Sequence, residues 1–389
     1  MKSIAFYTLG CKANRYQTEC LKSQLLNDEL QLAPFENKAD IYVINTCTVT
    51  EDADRKSRQA IRRALRQNPE AKVIVAGCYA ILEGEKLKQH FPRIEFIEAN
   101  PLGALSPPHS PQIRAELMIQ DGCEQDCSYC IVPYARGKFE SKPIEPILIE
   151  AKQLLEAGAR EIILTGINLG TYQFGLPEVI NQLSILPNLY RIRLSSIEPM
   201  YLTKELINTV AENPKVCKHL HLPLQSGDDH ILRAMHRPYT SADFLEMAHS
   251  IRNKIPDCGI TTDIIVGFPG EGEKEFQNTV DLVNQIKFSR MHIFSYSKRE
   301  KTPASNLKDQ VDTKTKKQRN KILQELRLKY MCEFALKYLN KELEILVEQK
   351  GEGVTSNYIR CYFNDAQDSS GSLRNICART ITVEGEIRG

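Results

Sequence analysis

Short apolar runs separated by amphipathic stretches organise the first hundred residues. Ile4–Leu9, Ile41–Ile44 and Val73–Ala76 read as buried parallel strands, with helices over Gln17–Leu26 and Arg55–Arg66 between them. Strand–helix alternation predicts an α/β fold whose N-terminal part is an open parallel α/β sheet. From Glu116 the alternation resumes. Leu117–Gln120, Glu161–Thr165, Arg191–Ser195, His219–Leu222, Thr261–Val266 and Met291–Tyr296 read as strands. Ile144–Leu155, Lys204–Ala211, Ser241–Ile255 and Glu273–Gln285 read as helices between them. Six such units fall short of a full eight-fold barrel and predict a partial (β/α)6 barrel, with its site at the carboxyl ends of the strands. A long helix is expected from Thr313 to about Asn340. Alternating runs at Ile345–Val347 and Tyr358–Phe363 then predict a small β domain. The expected division is 1–100, a linker at 101–115, 116–341 and 342–389, since Pro101–Pro111 carries four prolines.

At 389 residues the chain has room for two or three cores. Its 42% hydrophobic and 26% charged residues are ordinary for a soluble protein. No apolar run approaches membrane-spanning length, and Met1–Tyr7 lacks the stretch of a secretory signal. Twelve cysteines in such a chain predict reduced, metal-binding thiols and a cytoplasmic location, with no membrane partner. A net charge of +2 excludes a global nucleic-acid signal, so that evidence must be local. Arg55–Arg66 holds six basic and no acidic residues, and Arg58, Arg62 and Arg66 share a helical face. Lys298–Lys341 holds thirteen basic against five acidic residues, whereas the tail from Glu342 has five against eight.

The densest chemistry is Cys123, Cys127 and Cys130, spaced CxxxCxxC. Three thiolates can hold three corners of a cubane iron–sulfur cluster and leave the fourth iron free for a small molecule. Zinc is the alternative, though it prefers four ligands and paired CxxC units. Cys11, Cys47 and Cys78 each follow one of the first three strands, so a parallel sheet would bring them to one edge. They could hold a second cluster or be small buried hydrophobes. Cys20, Cys217, Cys258, Cys332, Cys361 and Cys377 lack ligand spacing and read as structural thiols. His219 and His221 alternate on one strand face, as a metal pair or as lumen filling, and Asp263 sits in the lumen or in a structural pair.

The CxxxCxxC segment resembles the radical S-adenosylmethionine enzymes. That resemblance implies an open iron chelating the amino and carboxylate groups of S-adenosylmethionine, and a 5′-deoxyadenosyl radical after reduction. Thr8–Asn14, Asn45–Thr50 and Ala76–Tyr79 resemble the N-terminal module of the methylthiotransferases within that superfamily. Asp52–Arg63 is similar to the branch acting on N6-threonylcarbamoyladenosine of tRNA. Lys12-Ala13-Asn14 fits neither the Gln-Met-Asn of the isopentenyladenosine branch nor the Pro-Lys-Asn of the ribosomal-protein branch. The resemblance implies two 4Fe-4S clusters, one on Cys11, Cys47 and Cys78 and one on Cys123, Cys127 and Cys130. It further implies methylthio transfer to carbon 2 of the adenosine at position 37, with a sulfur source and an electron donor yet to be identified. Asn168, Glu198 and Gln225 are expected to line the S-adenosylmethionine pocket. The tail, with Ser356–Arg360, resembles a TRAM β-barrel, and Lys142 stands in a run usually richer in arginine. The alternatives are the isopentenyladenosine and ribosomal-protein branches and, from another class, a non-catalytic RNA-binding zinc protein.

Overall fold

The computed structural model describes residues 1–98, 102, 112–364 and 369–389. The proline-rich Pro101–Pro111 therefore lies, apart from Leu102, outside the described residues. Arg114 and Ala115, placed in the linker by the sequence, already belong to a strand.

Five parallel strands open the chain: β1 (Lys2–Thr8), β2 (Leu30–Leu32), β3 (Ile41–Thr46), β4 (Lys72–Gly77) and β5 (Ile94–Phe96), ordered β2-β1-β3-β4-β5. Helices α1 (Lys12–Leu25), α2 (Glu51–Gln67) and α3 (Cys78–His90) make the crossovers. The three central strands are apolar on both faces because helices cover both. Helix α2 starts at Thr50, whose hydroxyl accepts from the Ala53 amide, and Glu51, Asp52 and Asp54 favour its first turn. The edge strands β2 and β5 and the helix opening at Cys78 went unseen in the sequence, each being short or weakly patterned.

The central part holds β6 (Arg114–Asp121), the two-residue β7 (Glu140–Ser141), β8 (Glu161–Gly166), β9 (Arg191–Leu194), β10 (His219–His221), β11 (Gly259–Val266) and β12 (Arg290–Ser295). Ladders run β7-β6-β8-β9 and β10-β11-β12, and the bridges Ile192–Val216 and Ser196–His221 join them. Apart from β7 every pairing is parallel, giving six curved parallel strands as expected. Helices α4 (Val132–Arg136), α5 (Ile144–Glu156), α6 (Leu176–Ser184), α7 (Lys204–Glu212), α8 (Asp229–Ala234), α9 (Ser241–Lys254), α10 (Glu273–Ile286) and α11 (Thr313–Leu336) complete this part. No helix among the described residues is long and apolar enough to cross a membrane.

Side chains alternate along these strands, and the alternation decides the architecture. Leu117, Ile119, Ile162, Leu164, Ile192 and Leu194 join the helices in the main core. Arg114, Glu161, Arg193, His219, His221 and Asp263 take the opposite, concave face. At its amino-terminal end Glu161 is fully buried, accepting from Arg193 Nε at 2.7 Å and Arg114 Nε at 2.9 Å. Burial alone would raise its pKa, but the two guanidiniums outweigh burial and bring it down to about 2.

The tail closes that end. Strands β13 (Glu342–Gln349), β14 (Glu352–Thr355), β15 (Arg360–Tyr362), β16 (Leu373–Cys377), β17 (Thr380–Ile381) and β18 (Ile387–Arg388) form one sheet, ordered β16-β13-β14-β15-β18-β17. Among the described residues β16 and β17 stay unpaired edges, so the ladders draw a half-barrel and not the closed barrel of the sequence expectation. Arg193 donates to the Ser356 carbonyl at 3.0 Å and Arg191 to the Val354 carbonyl at 2.7 Å. Tyr358 stacks 4.6 Å from the His219 ring and lies 4.8 Å from the Arg193 guanidinium. The half-buried Tyr362 bonds Glu386 through its hydroxyl at 3.4 Å.

Glu161→Gln leaves two buried guanidiniums short of their counter-charge and should cost about 3–5 kcal/mol in chemical denaturation at neutral pH. Because the folded pKa lies below the ordinary 4.5, the wild-type stabilisation is complete above that pH and fades as pH falls towards 2. The variant should lack that part of the acid limb. A loss below about 1 kcal/mol would mean that solvent already screens the pair.

Candidate active site at two facing cysteine triads

The first triad forms at the carboxyl ends of three neighbouring strands. Cys11 caps α1 after β1, Cys47 follows β3, and Cys78 opens α3 after β4. The turn before Cys78 requires glycine: Gly77 has φ +90°, and a Cβ there would fall 2.2 Å from Asn45 Oδ1 and 2.4 Å from the Thr46 carbonyl. Gly10 likewise lies against Cys47, where a Cβ would stand 3.1 Å from its sulfur. Burial pushes the Cys47 thiol up to about 11, and thiolates at Cys11 and Cys78 would add to the shift. Cys78 is raised by burial too, and Arg136 opposes that rise.

The second triad lies in the loop after β6, at the carboxyl end of the partial barrel. Burial raises Cys123 and takes Cys130 to about 12, and Cys127 acts on both. Such thiols ionise when a metal replaces their protons. Asn168 is buried after β8, its amide N–H bonded to Gln120 Oε1 at 2.8 Å and its side chain against Cys123. Its own Oδ1 is buried with no partner, as is Ser195 Oγ after β9. Two orphaned acceptors beside the loop suit a ligand rich in N–H and O–H groups.

Two arginines that the sequence reading passed over organise this region. Arg237 has its side chain fully buried, pairs with Glu198, donates to Cys127 Sγ at 3.2 Å and to Tyr239 Oη at 3.0 Å. Glu198 thus reaches the cysteine loop through Arg237, as Asn168 does directly. Gln225 occupies the same rim after β10 with φ +67°, and its backbone bonds to Asp263 and Ile265. Arg136, on α4 just past Cys130, donates to Asp121 Oδ1 at 2.9 Å, Asn14 Oδ1 at 2.7 Å and Gln17 Oε1 at 3.3 Å. It also sits beside Cys78 and Cys11. One guanidinium therefore spans from the barrel loop to the edge that carries the first triad. A second tie joins Arg299, after β12, to Thr48 at 2.7 Å and Asp54 at 2.8 Å.

Other candidates resolve differently. Lys142 is buried with Glu150 at 2.6 Å and Tyr16 at 3.0 Å, so it serves packing and not a substrate. His219 and His221 both contact Thr261 Oγ1, at 3.0 and 2.9 Å, and Asp263 lies 3.3 Å from His221. Among the described residues no three His, Cys, Asp or Glu side chains, those of the two triads included, are gathered as a group that could hold a metal ion. Cys20, Cys217, Cys258 and Cys361 are buried, Cys332 is half-buried and Cys377 is exposed. On α2, Arg58 is spent on Tyr79 and Arg62 lies over Phe91, while Arg62 and Arg66 stay exposed. Part of the basic excess before Lys341 is internal, with Arg319 buried against Glu271.

A parallel-stranded partial barrel with CxxxCxxC after its first strand defines a radical S-adenosylmethionine enzyme. Residues 117–283 match the Radical SAM superfamily, and residues 3–98 match Uncharacterized protein family UPF0004. The chain is 36% identical to threonylcarbamoyladenosine tRNA methylthiotransferase MtaB of Bacillus subtilis, over 96% of this chain and 93% of that one. It is 37% identical to the same-named protein of Aquifex aeolicus, over 92% and 95%. A tRNA-2-methylthio-N(6)-dimethylallyladenosine synthase of Carboxydothermus hydrogenoformans is 34% identical over 96% and 95%. In fold it is similar to the radical S-adenosylmethionine methyltransferase TsrM of Kitasatospora setae, with a TM-score of 0.58 at 13% identity over 78% of this chain and 77% of that one. The chain belongs to the methylthiotransferase family of radical S-adenosylmethionine enzymes.

Replacing Arg136 by Met removes every bond across the gap between the triads that α4 supplies. Hydrogen exchange should quicken in residues 9–17 and 121–137 together, with the β8–β9 core unchanged. Unchanged exchange in both segments would show that Arg299 and packing alone hold them.

Proposed function

We propose that this protein transfers a methylthio group to carbon 2 of N6-threonylcarbamoyladenosine at position 37 of tRNA, by radical S-adenosylmethionine chemistry. The supporting observation is that Arg136 stands beside Cys78 and Cys11 while the carbonyl of the next residue, Gly137, accepts from the Cys123 amide at 3.1 Å, each triad having one ligand fewer than a cubane has irons. Cys123, Cys127 and Cys130 hold a 4Fe-4S cluster with S-adenosylmethionine, and Cys11, Cys47 and Cys78 hold a second. Bound there, a reduced cluster and S-adenosylmethionine supply one-electron cleavage of a sulfonium, the chemistry that makes an inert C–H bond reactive.

The chain's own residues do the rest. Asn168, with its unpartnered Oδ1, and Ser195 Oγ offer acceptors to the amine and ribose hydroxyls of S-adenosylmethionine. Arg237 holds Glu198 in place and donates to Cys127, so cofactor pocket and cluster ligand share one anchor. Gln225 lines the same rim, after β10. Arg136 keeps the triads at a fixed separation, so that hydrogen removal and sulfur delivery address one carbon. Residues 1–98 form the second-cluster domain, 114–341 the barrel with its basic helix, and the tail from 342 a TRAM-like module. Arg62, Arg66 and the exposed lysines of α11 meet the phosphates of tRNA. The electron donor and the sulfur source come from outside the chain.

Cells lacking this chain should lose the methylthio form of threonylcarbamoyladenosine and accumulate the unthiolated nucleoside, read by nucleoside mass spectrometry. Loss of the methylthio form of isopentenyladenosine instead would assign the neighbouring specificity. Anaerobically purified protein should carry about eight irons per chain, falling to about four when Cys11, Cys47 and Cys78 are all changed to alanine. Zinc in place of iron would remove the catalytic reading altogether.

A further inference from the structure

Side chains on the concave face of the barrel differ in whether anything covers them. Towards the carboxyl ends of β6, β8 and β9 stand Met118, Thr165 and Ser195, all buried. The matching positions on β11 and β12 are Asp263, which is half-buried, and His292 and Phe294, which are exposed. Asp263 is the register partner of His292 and Ile265 that of Phe294, so these side chains share one wall. Met291 and Ile293, which alternate with them, turn outward to the main core. Phe294 is 42% exposed and, among the described residues, joins no apolar cluster. A bare aromatic ring beside a few polar groups on a concave wall is the usual make-up of a binding site.

The polar groups of this wall are only partly used. Asp263 lies 3.3 Å from His221 and 4.0 Å from His292, whose ring stands 5.8 Å from that of His221. His221 is tied further to Thr261, whereas His292 makes no hydrogen bond among the described residues. A π-face with a carboxylate and an imidazole at its side suits a planar heterocycle with donors and acceptors on its edge. The wall also lies where the triads meet. Three residues beyond Phe294, Ser297 Oγ accepts from the Glu51 amide at 3.0 Å, and Arg299 reaches Thr48, next to Cys47. Ile265 packs in the cluster that includes Tyr129, the residue before Cys130. Asn168 and Ser195, the acceptors offered to S-adenosylmethionine, follow β8 and β9 on the other side of the lumen.

We propose that Phe294 is the platform on which the target nucleobase stacks, with Asp263 and His292 facing its polar edge. The inference rests on the substrate reading above and adds how the base is held. Stacking is indifferent to the substituent on N6 and fixes the plane of the ring instead. A fixed plane is what hydrogen removal from one ring carbon requires. The adenine of S-adenosylmethionine is the rival occupant, and the experiment separates the two.

Anticodon stem-loops with threonylcarbamoyladenosine or an abasic site at position 37 are compared by fluorescence anisotropy on cluster-loaded protein with iron content checked. The wild type should bind the abasic form about tenfold more weakly. Phe294→Ala should bind the two alike, and Phe294→Trp should keep the difference. Equal binding of both by the wild type, or a difference that survives in Phe294→Ala, overturns the proposal. Binding of S-adenosylmethionine, measured by equilibrium dialysis, should be the same in Phe294→Ala and the wild type. A loss of about tenfold there gives the ring to the cofactor and also overturns the proposal. A photochemical crosslink needs no variant. With 8-azidoadenosine at position 37, light should attach the stem-loop to wild-type protein within residues 290–297, and attachment only elsewhere is the overturning result. Conversion of the threonylcarbamoyl stem-loop, with reductant, sulfide and S-adenosylmethionine supplied, is followed in the same wild-type preparation by mass spectrometry. Conversion with equal binding of the two stem-loops overturns the platform alone, whereas no conversion overturns the substrate reading beneath it.

Discussion

The Arg136 guanidinium is the constraint on which the site depends. Parallel sheets gather functional groups at the carboxyl ends of their strands, and this chain contains two such sheets. The two meet where α1 packs on β6 through Tyr16 and Met118, and a directional group must set the angle between their ends. Arg136 does so with a rigid fork, holding Asp121 at the end of β6 and Asn14 on α1 while standing next to Cys78. A lysine could satisfy one partner but not impose the angle. Buried charge networks of this kind add little net stability, since desolvation offsets much of the attraction. Their contribution is geometric, and methylthiolation needs geometry: two reactive groups must reach the same carbon.

Stability comes from elsewhere. The outward faces of the barrel strands pack on the helices in one large apolar core, which leaves the concave face free to be polar. Arg114, Glu161, Arg193, His219, His221 and Asp263 could not occupy a filled barrel. They are tolerated because Glu161 neutralises two arginines and because the tail caps that end with its own carbonyls. The C-terminal sheet is therefore part of the barrel's floor. Its acidic composition fits that role better than a strong phosphate grip, because Glu344 and Glu348 meet Arg191 and Arg114.

The same accounting explains why charge counts along the chain overstated the nucleic-acid surface. Arg319, Arg299, Arg58 and Lys142 all look available in one dimension. Each has an internal partner in three: Glu271, Asp54, Tyr79 and Glu150. What remains exposed is a narrower set, on α2, on α11 and in the segments flanking α11, such as Lys301, Lys308 and Lys341.

The long central strands, the longer helices between them and the positions of both cysteine triads were legible in the sequence, because apolar runs and cysteine spacing are local signals that survive without a partner. Ile41–Thr46 and Glu161–Gly166 are apolar enough to be strands in any context, and each cysteine of the first triad sits within three residues of a strand end. Asn168 and Glu198 could likewise be placed from the sequence as polar residues after strand ends. Arg136 and Arg237 were not visible as site residues, for an arginine carries no mark of whether its charge will be paired. Asp121 lies fifteen residues from Arg136, Asn14 one hundred and twenty-two, and Glu198 thirty-nine from Arg237. Local pattern thus determined which elements form and where the thiols lie along them. Only the tertiary structure decided which charges face one another, because an ion pair is made by distance in space and leaves no periodicity in the chain.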